Sequence, residues 1–328
     1  MLRRWAAVVA LAAPAALLGG CSRGMLDAHG PDAGRIATLW WLMFGIACFV
    51  FIAVLAFLAY ALFHHRRGPA HFDQHPLSAM VFVLTSGAAI PLVLLIVVFG
   101  WTIVVMAETN TGLGDPLTID VTGHDWWWEV HYPDGQFTTA NEIHVPVGRE
   151  VELKLTSDDV IHSFWVPQLS GKMDLIPGQT HSLYLEADDA GTYRGQCAEY
   201  CGIEHAHMAF YVIADEPAQF QQWVSAQQQP AFQPTDPQLL AGQQILLGSA
   251  CVYCHAVRGT NASGTVGPDL THLASRDWIG AGTLENNAEN LSNWVRNPQD
   301  AKPGNAMPPT QLDDDSMKAL VAYLQSLR

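Results

Sequence analysis

Two thiols, an imidazole and a thioether fall within twelve residues in Cys197-Ala-Glu-Tyr-Cys201-Gly-Ile-Glu-His205-Ala-His-Met208. A further imidazole, His162, lies upstream in Asp-Val-Ile-His162-Ser-Phe-Trp-Val-Pro. Soft sulfur donors combined with imidazole select copper or zinc over magnesium or calcium, and a thioether favours copper. Zinc would leave Met208 without a use. Single-copper electron-transfer sites use one Cys with two His and a weak Met. The second thiol here is accounted for if Cys197 and Cys201 bridge two copper ions. Spacing leaves both His205 and His207 open as the downstream imidazole. Farther on, Cys251-Val-Tyr-Cys254-His255 is a c-type haem attachment motif, with two thiols for thioether links and His255 for the iron. A thioether opposite the histidine raises the haem potential. Met307, in Gly-Asn-Ala-Met307-Pro-Pro-Thr, is the candidate for it, because a proline-rich loop holds the sulfur rigidly. Met317 lies in a predicted helix and reads as core. Two redox centres on one chain predict an electron relay.

The elements that must position these residues are unevenly apolar. Ile36 to Phe63 and Pro76 to Ala107 carry no charged side chain, and each exceeds the ~20 residues a helix needs to cross a bilayer. Residues 1–20 read as a signal peptide, with Arg3 and Arg4 before an apolar run and Leu18-Gly19-Gly20-Cys21 at its end. Small residues before a cysteine resemble a bacterial lipoprotein box, with Cys21 lipidated. The link between the spans contains His64-His65-Arg66-Arg67, which places it on the cytoplasmic side. Everything after about Glu108 is then outside a bacterial inner membrane. Each cysteine has a role without a disulfide: Cys21 for lipid, Cys48 in the first span, and the remaining four for metal and haem.

The net charge of -15 is concentrated in the middle of the chain, where residues 108–230 hold 19 acidic and 4 basic side chains. That excludes nucleic acid as a partner and suits a basic protein donor. Leu117–Val121, Glu150–Leu155, His181–Leu185 and Met208–Ile213 read as short strands between Gly, Pro and Asp turns, which predicts an all-β sandwich or barrel. Metal ligands then fall on loops at one end. A short helix is expected over Pro217 to Ala226. Residues 227–236 are Gln- and Pro-rich and read as a linker, either exposed and partly extended or lying as a strap on the surface. Helices are expected over Pro237–Leu247, Leu291–Arg296 and, with an acidic first turn, Asp313–Leu327. The expected architecture is multidomain: a two-span hairpin over 21–107, an all-β domain over 108–226 and an all-α domain over 237–328.

The pattern His162, Cys197, Glu199, Cys201, His205, Met208 resembles the binuclear CuA site of cytochrome c oxidase subunit II. The hairpin, the β domain and Gly123-His-Asp-Trp126-Trp-Trp128 resemble that family too. The resemblance implies a cupredoxin-like sandwich in which Cys197 and Cys201 bridge two copper ions and Glu199 offers its backbone carbonyl. It also implies that the Glu199 carboxylate binds magnesium at the interface with subunit I, and that Trp126 receives electrons. Trp127 and Trp128 are as readily packing residues. The C-terminal region resembles a class I cytochrome c, in which Pro268 of Gly267-Pro268-Asp-Leu orients His255 through its carbonyl. Such a fusion resembles the caa-type haem–copper oxidases. One position departs: many relatives carry a glutamate seven residues before the proline of the second span, near a proton entrance, and here Leu84 stands at that distance from Pro91.

The expected function is electron entry into a proton-pumping terminal oxidase. An external donor would reduce the haem, and the electron would pass to copper and on to subunit I. The partners implied are subunits I and III, a periplasmic donor such as a cytochrome, and the membrane. CuA domains also resemble part of nitrous oxide reductase, but the hairpin and the lack of a large catalytic region oppose that reading. A free-standing membrane cytochrome or copper carrier is separated from it by co-purification with a multi-span haem protein. A quinol oxidase subunit of the same fold would lack the thiols.

Overall fold

A computed structural model describes residues 24–64, 76–112 and 114–328. Cys21, the rest of the signal-like segment and the Arg66-Arg67 link lie outside the described residues. Helix α1 spans Pro31–His64. The second apolar run begins as α2, Pro76–Leu84, widens into a π turn over Thr85–Ala89 and continues as α3, Ile90–Glu108. Pro91 explains the π turn: it has no N–H to give the preceding turn, and its ring crowds the carbonyl four residues back. Leu84 closes α2 directly before this widening. Both helical runs expose nearly all of their large apolar side chains, as spans facing lipid and other subunits do.

The outer end of the hairpin is tied to the next domain. Asp32 accepts from Arg35 at 2.8 Å and from the Asn110 amide at 3.0 Å, and Asn110 in turn bonds Ser182 and Tyr184. Gly30 passes so close to the sandwich that a Cβ there would lie 2.4 Å from the Glu186 carbonyl.

Ten strands form the sandwich: β1 Leu117–His124, β2 Trp127–Tyr132, β3 Phe137–Ala140, β4 Glu142–Pro146, β5 Val151–Ser157, β6 His162–Trp165, β7 Lys172–Leu175, β8 His181–Leu185, β9 Gly191–Cys197 and β10 Ala209–Asp215. One sheet has the order β3-β2-β1-β5-β8 and the other β4-β10-β9-β6-β7. Side chains alternate along each strand, so Leu117, Ile119 and Val121 of β1 and Val151, Leu153 and Leu155 of β5 point inward and are buried. Trp128 fills the centre edge-on to Phe164 and Phe210. Of the sandwich or barrel that the strand pattern predicts, this is the sandwich, and it is the cupredoxin-like one that the resemblance implies.

After α4, Pro217–Gln227, residues 228–236 run as a largely exposed strap that is anchored at its buried points, Ala231 and Pro234. Ala231 is buried in the next core and donates to the Arg258 carbonyl, and His272 meets the Gln229 carbonyl. The third domain is helical: α5 Pro237–Leu247, α6 Cys251–Cys254, α7 Ala288–Arg296 and α8 Asp314–Leu324, with a small hairpin of β11 Trp278–Ile279 and β12 Leu284–Glu285. Asp236 caps α5 and Asp313 caps α8 through the first amides of each helix. Helices α5 and α8 cross at Gly242, where a Cβ would sit 2.0 Å from the Ala319 carbonyl oxygen. Met317 is buried in this core, as its helical position predicts. Gly242→Ala is expected to overpack the crossing and destabilise the helical domain by about 1–3 kcal/mol. Thermal unfolding followed at the haem absorption should show a lower midpoint, with the sandwich transition unmoved.

Candidate metal and haem centres

His162, Cys197, Cys201, His205 and Met208 converge at one end of the sandwich. Strand β6 pairs with β9 so that Phe164 faces Cys197, and the Ala198 amide donates to the Ser163 carbonyl at 2.9 Å. The far end of the loop is closed by the Cys197 amide donating to the Met208 carbonyl at 2.9 Å. The two sulfurs stand 3.7 Å apart, too far for a disulfide and close enough to share metal. His162 Nδ1 lies 4.0 Å from the Cys197 sulfur, His205 Nδ1 3.6 Å from the Cys201 sulfur, and the Met208 sulfur 3.8 Å from that of Cys201. Cys197 donates to the Glu199 carbonyl at 3.2 Å, while the Glu199 carboxylate is exposed at the rim. His207 turns away, its ring held 2.6 Å from the Glu204 carboxylate.

The electrostatics favour a thiolate at Cys197 first. The contact with the Cys201 sulfur is the largest influence lowering the Cys197 thiol, and the same contact, with burial, raises Cys201. Burial opposes protonation of His162, but the Cys197 sulfur and the Asp159 carboxylate outweigh it and raise the imidazole. Asp159 accepts from His162 Nε2 at 2.8 Å, which fixes the ring and leaves Nδ1 facing the sulfurs. Gly123 makes room for that ring, since a Cβ there would lie 2.7 Å from His162 Cδ2. Asp159 and Gly123 were not among the sequence candidates. Asp159 had a signal, a carboxylate three residues before the histidine; Gly123 had none beyond its place in the aromatic motif. Trp126 lies beside the loop, and its indole N–H donates to the Cys201 carbonyl at 2.9 Å. Trp127 stacks on His124, and Trp128 is core.

In the helical domain, His255 Nδ1 lies 2.7 Å from the Pro268 carbonyl oxygen, so Nε2 is free to face a ligand. Burial holds the imidazole below its ordinary value and therefore neutral. Gly267 presses on this ring, where a Cβ would lie 2.8 Å from His255 Cε1. Both Cys251 and Cys254 are free thiols. Met307 packs against the helical core from the loop after Pro298–Asp300. Two thiols three residues apart on α6 and one oriented imidazole directly after them fit a covalent haem, and the cluster of two thiols, two imidazoles and a thioether fits copper.

Comparison with known proteins agrees with the geometry. The family described as "Cytochrome C oxidase subunit II, periplasmic domain" matches residues 135–215, and that described as "Cytochrome c" matches residues 239–328. Cytochrome c oxidase subunit 2 of Alkalihalophilus pseudofirmus is 37% identical over 312 residues, covering 92% of this chain and 90% of that one. The chain belongs to the cytochrome c oxidase subunit 2 family. The Bacillus subtilis protein of the same name is 28% identical over 354 residues, covering 100% of this chain and 99% of that one. The quinol oxidase subunit 2 of Bacillus spizizenii is 30% identical over 233 residues, 68% of this chain and 73% of that one. Membership makes this chain an oxidase subunit anchored in the bacterial inner membrane by α1 and the α2–α3 run, with both C-terminal domains outside. It also implies a CuA copper centre and a haem c in one polypeptide, and subunit I of a haem–copper oxidase as partner.

Asp159→Asn keeps an acceptor near His162 but removes its charge. Loss of such a supporting carboxylate is expected to weaken copper retention about 10- to 100-fold. Copper content after dialysis against a chelator, with the circular dichroism unchanged, measures it.

Proposed function

We propose that this subunit carries electrons from an external donor through haem c to CuA and on to subunit I. When bound, the haem and the copper pair each supply one-electron uptake and release. The residues do the positioning. Cys251 and Cys254 would tether the haem, His255, oriented by the Pro268 carbonyl, would hold its iron, and Met307 would supply a thioether donor to the same iron. His162, Cys197, the Glu199 carbonyl, Cys201, His205 and Met208 hold the copper pair. Trp126 is the electron-transfer residue toward that pair, connected to the copper loop by the hydrogen bond from its indole N–H to the Cys201 carbonyl. The observation that carries this reading is the convergence of two thiols 3.7 Å apart with two imidazoles and a thioether in a chain that also bears the haem motif.

Three finer assignments belong to the same proposal. The Glu199 carboxylate, exposed at the rim, binds magnesium together with subunit I. Cys21 is the lipidated residue. Subunit III and a periplasmic cytochrome complete the partners, and oxygen reduction in subunit I is coupled to proton pumping. Leu84 removes a carboxylate from the second span, so no proton entrance is assigned there. The thiols and the haem motif favour a cytochrome-type donor over a quinol.

Cys197→Ser combined with Cys201→Ser is expected to leave haem c reducible while oxygen uptake stops. Sustained uptake in that variant would contradict the relay. Met307→Ala is expected to abolish the sulfur-to-iron absorption band of the oxidised haem and lower its potential, because the thioether is what raises it. Retention of the band would assign the sulfur elsewhere.

A further inference from the structure

Two buried ionisable side chains cross the seam between the sandwich and the haem domain in opposite directions. Lys302, from the haem domain, is 2% exposed and donates to the Trp126 carbonyl at 2.6 Å, the His207 carbonyl at 2.6 Å and its own domain's Gly280 carbonyl at 3.2 Å. Glu142, from β4 of the sandwich, is 3% exposed and accepts from the Asp277 and Trp278 amides of the haem domain at 2.8 and 3.0 Å. Burying a charge is costly unless it is hydrogen-bonded, and each of these finds two backbone partners on the other domain. Between them the Ala209 amide donates to the Ala281 carbonyl at 3.0 Å, and Tyr211 stacks on Trp278 with centroids 5.0 Å apart.

The chain from Lys302 to Met307 is short and braced. Gln299 donates to the Asn305 and Met307 carbonyls and accepts from the Gly304 amide, and Asn305 donates to the Lys302 carbonyl. Gly304 lies so close to the copper loop that a Cβ there would be 2.5 Å from Ile203 Cδ1. A continuous line of covalent and hydrogen bonds therefore runs from the Met307 loop through the Lys302 ammonium to Trp126, and from the indole of Trp126 to the Cys201 carbonyl.

We propose that Lys302 and Glu142 form a reciprocal clasp that seats the haem domain on the sandwich with the Met307 loop against Trp126 and the copper loop, making transfer between the two centres an intramolecular step in a fixed pose. The assignment rests on the relay proposed above. Lys302 and Glu142 are positioning residues: one electron leaves the haem side and one arrives at the copper side, with no bond formed or broken and no proton transferred at either residue. Fixing donor and acceptor in one pose removes the search that a separate donor requires.

The test uses the full chain in the assembled oxidase. Lys302→Met keeps the length and apolar stem but donates to no carbonyl; Glu142→Ala, made on the other domain, keeps the question answerable if the first variant fails to assemble. Two quantities are read: hydrogen exchange at the Ala209 amide, which reports the seam without touching either substituted residue, and the rate of haem-to-copper transfer after flash reduction of the haem. Faster exchange at Ala209 together with transfer slowed on the order of 100-fold, with haem and copper spectra unchanged, is the expected result. Unchanged exchange or unchanged rate in a folded variant overturns the clasp, as does slowed transfer with Ala209 still protected. If the relay itself is wrong, the transfer step is missing from the unsubstituted protein as well.

Discussion

The site depends on the register in which β6, β9 and β10 meet. Phe164 faces Cys197, Gln196 faces Ala209, and the Cys197 amide closes onto the Met208 carbonyl. These pairings force the twelve residues from Cys197 to Met208 to turn back over the end of the sandwich, under His162 at the start of β6. Strand side chains alternate with a period of two, so a slip of one residue would send His162 to the opposite face and leave the sulfurs without an imidazole. The core holds that register: Phe164 and Phe210 stack at 4.3 Å and Trp128 packs edge-on to both, all fully buried. The donors are therefore brought together by sheet pairing and packing. Thiols and a thioether bury without strong hydrogen-bonding demands. His162 has such a demand, and Asp159 meets it from the side away from the sulfurs.

The haem domain is built by different means but to the same end. Helix crossing at Gly242 brings α5 onto α8, and the loop carrying Pro268 folds back to orient His255. Its attachment to the sandwich is polar at the points that matter, through Lys302, Glu142 and the ordered strap after α4. Two domains of different class thus present their redox loops to one another across a defined seam, while the hairpin is tied to the sandwich through Asp32 and Asn110.

Much of this was legible in the sequence, for identifiable reasons. The ligands Cys197 to Met208 are local, so their spacing carries the chemistry directly. The period-two pattern of β1 and β5 and the apolar spans are strong signals of burial and of membrane. Caps at Asp236 and Asp313 mark helix starts where the pattern predicts them. Six strands of the sandwich were missed: β3, β6 and β7 because four residues carry little periodicity, and β2, β4 and β9 because their aromatic, turn-flanked or glycine-bearing sequences hide the alternation. The strap over 228–236 reads as open chain by composition, yet its order comes from main-chain hydrogen bonds that composition does not encode. Lys302 and Glu142 are the clearest gap: a single charged residue in a loop or at a strand end is usually solvated, and only the docking of two domains reveals that each is buried. The π turn before Pro91 was not expected: the second span was read as one uninterrupted apolar run, with Pro91 only the landmark for Leu84.

The central claim is that the loop at the end of the sandwich holds a pair of coppers and not one metal ion. Copper content combined with electron paramagnetic resonance of the purified, oxidised subunit tests it most directly. The account predicts two coppers per chain and, beside the signal of the ferric haem, one unpaired electron on copper whose hyperfine splitting is shared by two equivalent nuclei. A single copper with splitting from one nucleus, or zinc in its place, would contradict it.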